Sequence, residues 1–335
     1  MPSYSRVDCL KHPLFSHHNL QIMIKRDDLI HPIISGNKWR KLKYNIIHAK
    51  QHNKGVISFG GAYSNHIHAL AFACHQAKIK AIGIIRGESK YADNFTLKWA
   101  RHWGMALNFV DRRTYKQRDN IEYLQQLQRQ YNDYYIIPEG GSNSLAVTGV
   151  GEIMTELAQE CQFDSLLTPV GSGGTFAGLI TGDNNQHKLL GIAVLKQPST
   201  MSIRTSIRTS IKAPKTHSQQ GLTAQVYNLL PDHAKKFTNW QVLPQYHRGG
   251  YAKFSQQDSQ KLIEFSQITG VKVEPVYSGK MILALLDLIA DGYFPANHKI
   301  VLLHTGGLQG LGGLAERGLI SPEHWPVPSI APIKD

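Results

Sequence analysis

The most constraining feature of this chain is a repeated join: an apolar strand meets a helix through a glycine-rich loop. Val56-Ile-Ser-Phe59 runs into Gly60-Gly-Ala-Tyr-Ser-Asn-His66 and a helix-like stretch to residue 77. The strand at 166–170 runs into Gly171-Ser-Gly-Gly174, and the strand at 300–303 into His304-Thr-Gly-Gly307. Between these joins the alternation continues. Strands are expected at 20–29, 81–85, 107–110, 135–137 and 190–195. Helices are expected at 39–49, 93–102, 120–131, 147–160 and 280–290, with one more capped by Ser255 and ended by Gly270. Alternation of this kind predicts an α/β fold, a parallel sheet covered by helices.

At 335 residues the chain has room for roughly two domains. Its 41% apolar and 18% charged residues allow a sizeable core. No apolar run reaches the length of a membrane span, and residues 1–20 lack the apolar core of a secretory leader, so a cytoplasmic protein is expected. Cys9, Cys74 and Cys161 are far apart, with neither metal-ligand spacing nor a disulfide framework, which fits reduced thiols. The net charge of +13 raises a second class, a basic nucleic-acid-binding protein without catalysis. The basic residues are scattered, however, and lack the exposed aromatics of a single-strand groove. One basic region, 184–230, contains no acid. Within it a period of four puts Ile203, Ile207 and Ile211 on one helical face beside a cationic stripe. A surface helix and a basic lid over an anionic substrate both fit that pattern.

Several loops carry residues suited to chemistry. Lys38 follows Gly36-Asn37, which supply unusual backbone angles, and precedes a helix that can hold it rigidly. A desolvated lysine there becomes a nucleophile able to form a Schiff base with an aldehyde, although a solvated surface lysine has the same local pattern. In Thr168-Pro-Val-Gly-Ser-Gly-Gly-Thr175 the glycines Gly171, Gly173 and Gly174 let backbone N–H groups approach a phosphate. Ser172 and Thr175 add hydroxyl donors, and the following helix N-terminus adds positive potential. The lysine of a Walker A loop is absent. Gly310-Leu-Gly-Gly-Leu-Ala315 fits the loose dinucleotide pattern, but it lies too near the end of the sequence for a following βαβ unit. Ser64 and Asn65 begin a helix and suit either a carboxylate ligand or plain N-capping. His66 and His68, two apart, face different sides of a helix and make a poor metal pair. Tyr277 lies in a Pro/Gly-bounded loop, suited to stacking on a ring, to moving a proton or to filling the core. Thr305 stands past the end of an apolar strand, where it can hydrogen-bond a neutral ring nitrogen.

Taken together and in order, these motifs resemble the fold-type-II pyridoxal-phosphate enzymes, and within them the D-cysteine desulfhydrase and 1-aminocyclopropane-1-carboxylate deaminase family. The segments that carry the resemblance are Gly36-Asn-Lys-Trp-Arg-Lys-Leu42, Gly60-Gly-Ala-Tyr-Ser-Asn-His66, Gly171-Ser-Gly-Gly-Thr175, Gly250-Tyr251, Pro275-Val-Tyr-Ser-Gly-Lys280 and His304-Thr-Gly-Gly307. The resemblance implies two open twisted sheets flanked by helices, tryptophan-synthase-beta-like. A large domain would comprise 1–51 plus 144–335 and a small one 52–143, with pyridoxal 5'-phosphate in the cleft between them. It further implies that Lys38 holds the cofactor as a Schiff base and that Lys41 and the loop from Gly171 to Thr175 hold its phosphate. Asn65 would lie beside the ring oxygen and Thr305 at the ring nitrogen. Ser64, Tyr251 and Tyr277 would serve the substrate. The expected partners are a small amino-acid substrate and a second copy in a homodimer, with neither nucleic acid nor membrane.

Family members that open a cyclopropane ring tend to carry glutamate and leucine where this chain has Ser278 and Thr305. A hydroxyl leaves the ring nitrogen largely unprotonated, which suffices for β-elimination. The expected activity is therefore a desulfhydrase-like lyase giving a 2-oxo acid and ammonia. The alternatives are a 1-aminocyclopropane-1-carboxylate deaminase giving 2-oxobutanoate, or a serine or threonine dehydratase-like lyase. Tyr63 replaces the family's usual glutamine and Ile67-His68 its threonine-arginine pair, and an enlarged ring at 63 is expected to reshape the substrate pocket.

Overall fold

A computed structural model describes residues 4–196 and 221–328. The period-four stripe at 202–212 lies outside them. The first part of the chain contains β1 (Val7–Leu10), α1 (Pro13–His17), β2 (Gln21–Lys25), α2 (Asn37–Gln51), β3 (Gly55–Gly61), α3 (Asn65–Ala77), β4 (Ala81–Arg86), α4 (Leu97–His102), β5 (Ala106–Val110), α5 (Arg112–Tyr115), α6 (Ile121–Gln130) and β6 (Tyr134–Ile137). The second contains α7 (Ser144–Glu160), β7 (Ser165–Val170), α8 (Gly174–Asp183), β8 (Lys188–Ala193), α9 (Gly221–Leu229), β9 (Trp240–Leu243), α10 (Gln256–Thr269), α11 (Ser278–Ala290), β10 (Lys299–Leu303) and α12 (Gly310–Glu316).

The strands form two sheets, so the fold is α/β as the alternation predicts. The larger has the order β1-β2-β10-β7-β8-β9 and the smaller β5-β4-β3-β6. Every pairing is parallel except β1 with β2. Strand side chains alternate between faces, and in the larger sheet both faces are apolar. Ile22, Ile24, Ile300 and Leu302 join the core under α10 and α11, while Met23, Val301 and Leu303 join the core under α7 and α8. Val56 and Ile57 divide in the same way across the smaller sheet. Among the described residues no helix is long and apolar enough to cross a membrane.

Two placements matter for the site. Helix α2 lies between the two halves: Leu42 and Ala49 join the core of the smaller sheet, while Gly149 of α7 lets the Arg40 backbone approach so closely that a Cβ would stand 2.2 Å from its carbonyl oxygen. Helix α12 lies between them too. Leu311 and Leu314 enter the core of the larger sheet. On its other side, Cβ atoms on Gly312 and Gly313 would stand 2.1 Å from the Phe95 ring and 2.5 Å from the Tyr63 ring. The glycines of the rejected dinucleotide pattern thus serve close helix contact.

Candidate active site

The loops after β3, β7 and β10 open into one cleft of ≈ 830 Å³, at the carboxyl ends of parallel strands where open α/β sheets hold ligands. Lys38, Lys41, Ser64, Asn65, Tyr251, Tyr277 and Thr305 all line it. So do Gly171, Ser172, Gly173 and Thr175. Gly174 stands one layer behind, where a Cβ would fall 2.6 Å from Ser142 Oγ and 2.9 Å from Lys41 Nζ.

Lys38 occupies the first turn of α2, and the chain before it fixes where it points. Gly36 has φ +70°, and a Cβ there would stand 1.8 Å from the Thr305 carbonyl oxygen, so this close approach requires glycine. Gly36 N–H donates to the Asp27 carbonyl at 2.9 Å and Asn37 N–H to the Thr305 carbonyl at 3.2 Å. The Asn37 side chain donates to Thr175 Oγ1 at 2.7 Å and accepts from Lys38 Nζ at 3.2 Å. Beneath the helix, buried Arg40 pairs with Asp27 at 3.0 Å and with Glu156, and Lys25 pairs with Glu156 at 2.9 Å. Lys38 itself is half-buried, with its amine open to the cleft and protein on its other sides. That burial lowers its pKa to about 8.

Lys41, one turn on, forms a corner suited to an anion. Its Nζ donates to Ser142 Oγ at 2.8 Å, and Ser142 Oγ lies 2.8 Å from Ser172 Oγ. Burial, and then the Lys38 charge, hold its pKa well below that of an ordinary lysine. The corner is completed by the N-terminus of α8, whose N-cap, Gly173, is left-handed. Ser142 is a site residue that the motif reading misses. Its signal in the sequence is Gly140-Gly-Ser142, paired glycines and a hydroxyl directly after β6, the same signature as the other loops.

At the start of α3, Ser64 is the N-cap, its Oγ accepting from Ile67 N–H at 3.3 Å while the residue also lines the cleft, so capping and ligand binding are compatible. The Asn65 amide lies 3.2 Å from where a Cβ on Gly307 would stand, at the seam between the halves. His66 Nε2 meets Ser58 Oγ at 2.7 Å, and burial, then Lys38 and Lys41, hold its pKa well below 6.5, so the ring is neutral. His68 faces elsewhere, edge-on to Trp103 with ring centroids 4.9 Å apart. Tyr63, expected at the substrate pocket, packs away from it. Its ring turns outward onto Gly313, with the Arg317 guanidinium 5.4 Å from its centroid, and is not part of the cleft lining.

Across the cleft, the Tyr251 and Tyr277 rings meet edge to face with centroids 6.2 Å apart. Burial raises the pKa of both hydroxyls, that of Tyr277 well above 10, so both are protonated donors at neutral pH. Two further residues hold them, and the motifs assign neither a role. Lys280 Nζ donates to the carbonyls of Val194 at 3.0 Å, His247 at 2.9 Å and Gly250, which fixes the turn bearing Tyr251. Glu274 accepts from the N–H groups of Val276 at 2.6 Å, Tyr277 at 3.0 Å and Ser278 at 2.7 Å, which fixes the start of α11. Ser278 Oγ donates to the same carboxylate at 3.1 Å and lies behind the cleft wall.

A family model described as pyridoxal-phosphate dependent enzyme matches residues 3–306. A Pyrococcus horikoshii protein provisionally named 1-aminocyclopropane-1-carboxylate deaminase is 30% identical over 310 residues, covering 86% of this chain and 85% of its own. A D-cysteine desulfhydrase from Klebsiella pneumoniae is 27% identical, covering 89% and 90%. Among solved structures, an ACC deaminase homologue superposes with a TM-score of 0.76 at 25% identity, covering 95% of this chain and 94% of its own.

Proposed function

This chain belongs to the pyridoxal-phosphate-dependent enzymes, as a lyase of the 1-aminocyclopropane-1-carboxylate deaminase and D-cysteine desulfhydrase type, and within that type we propose that it carries out β-elimination from a small amino acid. The residues in the cleft fit the cofactor. A glycine-lined corner that a Cβ would fill suits the phosphate, and a half-buried lysine with a pKa of about 8 stands beside it. When bound, pyridoxal phosphate supplies an aldehyde for an amine and a conjugated ring that accepts the electron pair left at the substrate's Cα.

The chain's own residues would do the rest. Lys41, Ser142 and the Gly171–Thr175 loop would hold the cofactor's phosphate, Lys38 would anchor its aldehyde, and Asn65 would contact its ring. Ser64 and the N-terminus of α3 bind the α-carboxylate. Lys38 would take the α-proton, which its lowered pKa favours. Tyr251 and Tyr277, both protonated, close the opposite wall and donate to the departing group. Residues 52–143 act as a small domain against 1–51 plus 144–335.

The observation that carries elimination is Thr305. Thr305 lines the cleft, and its backbone is tied to the first turn of Lys38's helix. A threonine hydroxyl facing the cofactor's ring nitrogen would leave that atom unprotonated, which would suit loss of a good leaving group better than ring opening. The test is release of 2-oxo acid by purified holoenzyme from D- and L-cysteine, β-chloroalanine and 1-aminocyclopropane-1-carboxylate. Pyruvate from β-chloroalanine is expected. Release of 2-oxobutanoate alone, from the cyclopropane substrate, would replace elimination with ring opening. Replacing Lys38 with alanine should abolish the visible absorbance of the bound cofactor and lower turnover by at least about 10³-fold. An unchanged spectrum would assign the anchor to another residue.

A further inference from the structure

Arg86 is the cleft's uncommitted cation. It ends β4, and its register partner on β3 is Gly61, the residue that leads into the Ser64 turn. Neighbouring strands lie roughly 4.8 Å apart, so the strand end that carries Arg86 runs alongside the turn into α3, and both Arg86 and Ser64 line the cleft. A Cβ on Gly61 would stand 3.5 Å from Arg86 Nη2, and the bare glycine leaves that side of the guanidinium open to the cleft. The other charges of the wall are already paired. Glu139 accepts from Tyr115 Oη at 2.6 Å with one oxygen and from Arg118 Nε at 2.5 Å with the other. Arg86 packs over the Tyr115 ring, 5.4 Å from its centroid, and has no carboxylate ion-pair partner among the described residues. With Lys38 and Lys41 assigned to the cofactor, it is the cation that remains for a substrate.

Building on the elimination reading, we infer that Arg86 selects substrates bearing a second negative charge on the β-substituent. The α-carboxylate sits on the α3 N-terminus and the second anion on the guanidinium one strand away. For a sulfate ester of serine the step balances as follows. The α-C–H bond breaks and its proton passes to Lys38. The Cβ–O bond breaks, its electron pair leaving with sulfate as the Cα–Cβ double bond forms. The released aminoacrylate takes up water to give pyruvate and ammonia.

The experiment measures kcat/KM of holoenzyme for serine O-sulfate and for β-chloroalanine, both enantiomers of each, in the natural protein, Arg86→Met and Arg86→Lys. The ratio of sulfate ester to chloride should fall by roughly 10- to 100-fold in Arg86→Met, mainly through KM, and recover partly in Arg86→Lys. An unchanged ratio overturns the inference. Calorimetric titration with aspartate and alanine separates this from the underlying reading. If the natural holoenzyme releases no pyruvate from either substrate, elimination falls, yet tighter binding of aspartate that is lost in Arg86→Met would still support the anion site. Equal affinity for the two amino acids overturns the site whatever the activity.

Discussion

At Glu274 two opposing forces act on one carboxyl group. Three backbone N–H groups and the Ser278 hydroxyl favour the charged form, while burial favours the neutral one. Burial is the larger, and the pKa rises to about 7 from an ordinary 4.5. The folded protein then holds a proton here that the unfolded chain has released. Stability contributed by this group must therefore fall as pH rises from about 4.5 to about 7 and level off above. Urea midpoints for the natural protein and Glu274→Gln, taken across that window, isolate the effect: the natural protein's advantage should shrink with rising pH. An advantage that grows would mean that the three amides win. Glu274 sits one residue before the Pro-Val-Tyr motif, and its sequence gives no sign that the carboxylate folds back onto the following amides. Lys38 is different. The glycine and asparagine before it, and the helix after it, are written in adjacent positions, so its rigid placement can be read locally, while a role in chemistry emerges only beside the other loops. Arg86 is a lone arginine at a strand end until strand register puts Gly61 beside it.

Among the elements, α2 bears most directly on the chemistry, because its first turn carries Lys38 and its start rests on the loop after β10. Gly36→Ala tests that contact. With φ at +70° and a Cβ 1.8 Å from the Thr305 oxygen, either the α2 start or the 304–307 loop must move. A loss of about 4 kcal/mol or more is expected, read as a drop in the denaturation midpoint together with lost cofactor absorbance. A variant of natural stability would show that the two segments do not depend on each other. The expected element order was legible because strand runs and glycine loops punctuate it clearly. The misses have local causes. The helix expected from residue 93 starts at Leu97, because the Asn94 side chain accepts from the Thr96 and Leu97 N–H groups at 3.0 and 2.7 Å and turns the chain there. The paired glycines of α12 suggest a cofactor loop in one dimension, and only the approach of Phe95 and Tyr63 explains them.

Across the whole molecule, two sheets present their carboxyl strand ends to one cleft, and helices α2 and α12 each touch both halves. The cleft therefore draws on segments from 35 to 309, and no contiguous stretch of chain could build it alone. The corner proposed for the phosphate also has two amines near it. Lys41 lies buried close enough to Lys38 for one charge to depress the other, and its pKa is held well below the ordinary value. A dianion arriving beside Lys41 reverses that balance, and the amine draws a proton from water as the anion settles. Phosphate binding should therefore be linked to proton uptake at Lys41: affinity for the phosphate group should weaken as the medium becomes more alkaline, and heats of binding should change with the ionisation enthalpy of the buffer. Calorimetry of the cofactor-free protein in phosphate-free buffers of differing ionisation enthalpy would register the uptake, and Lys41→Met should remove most of it. Equal heats in every buffer would mean that Lys41 is already charged before the anion arrives.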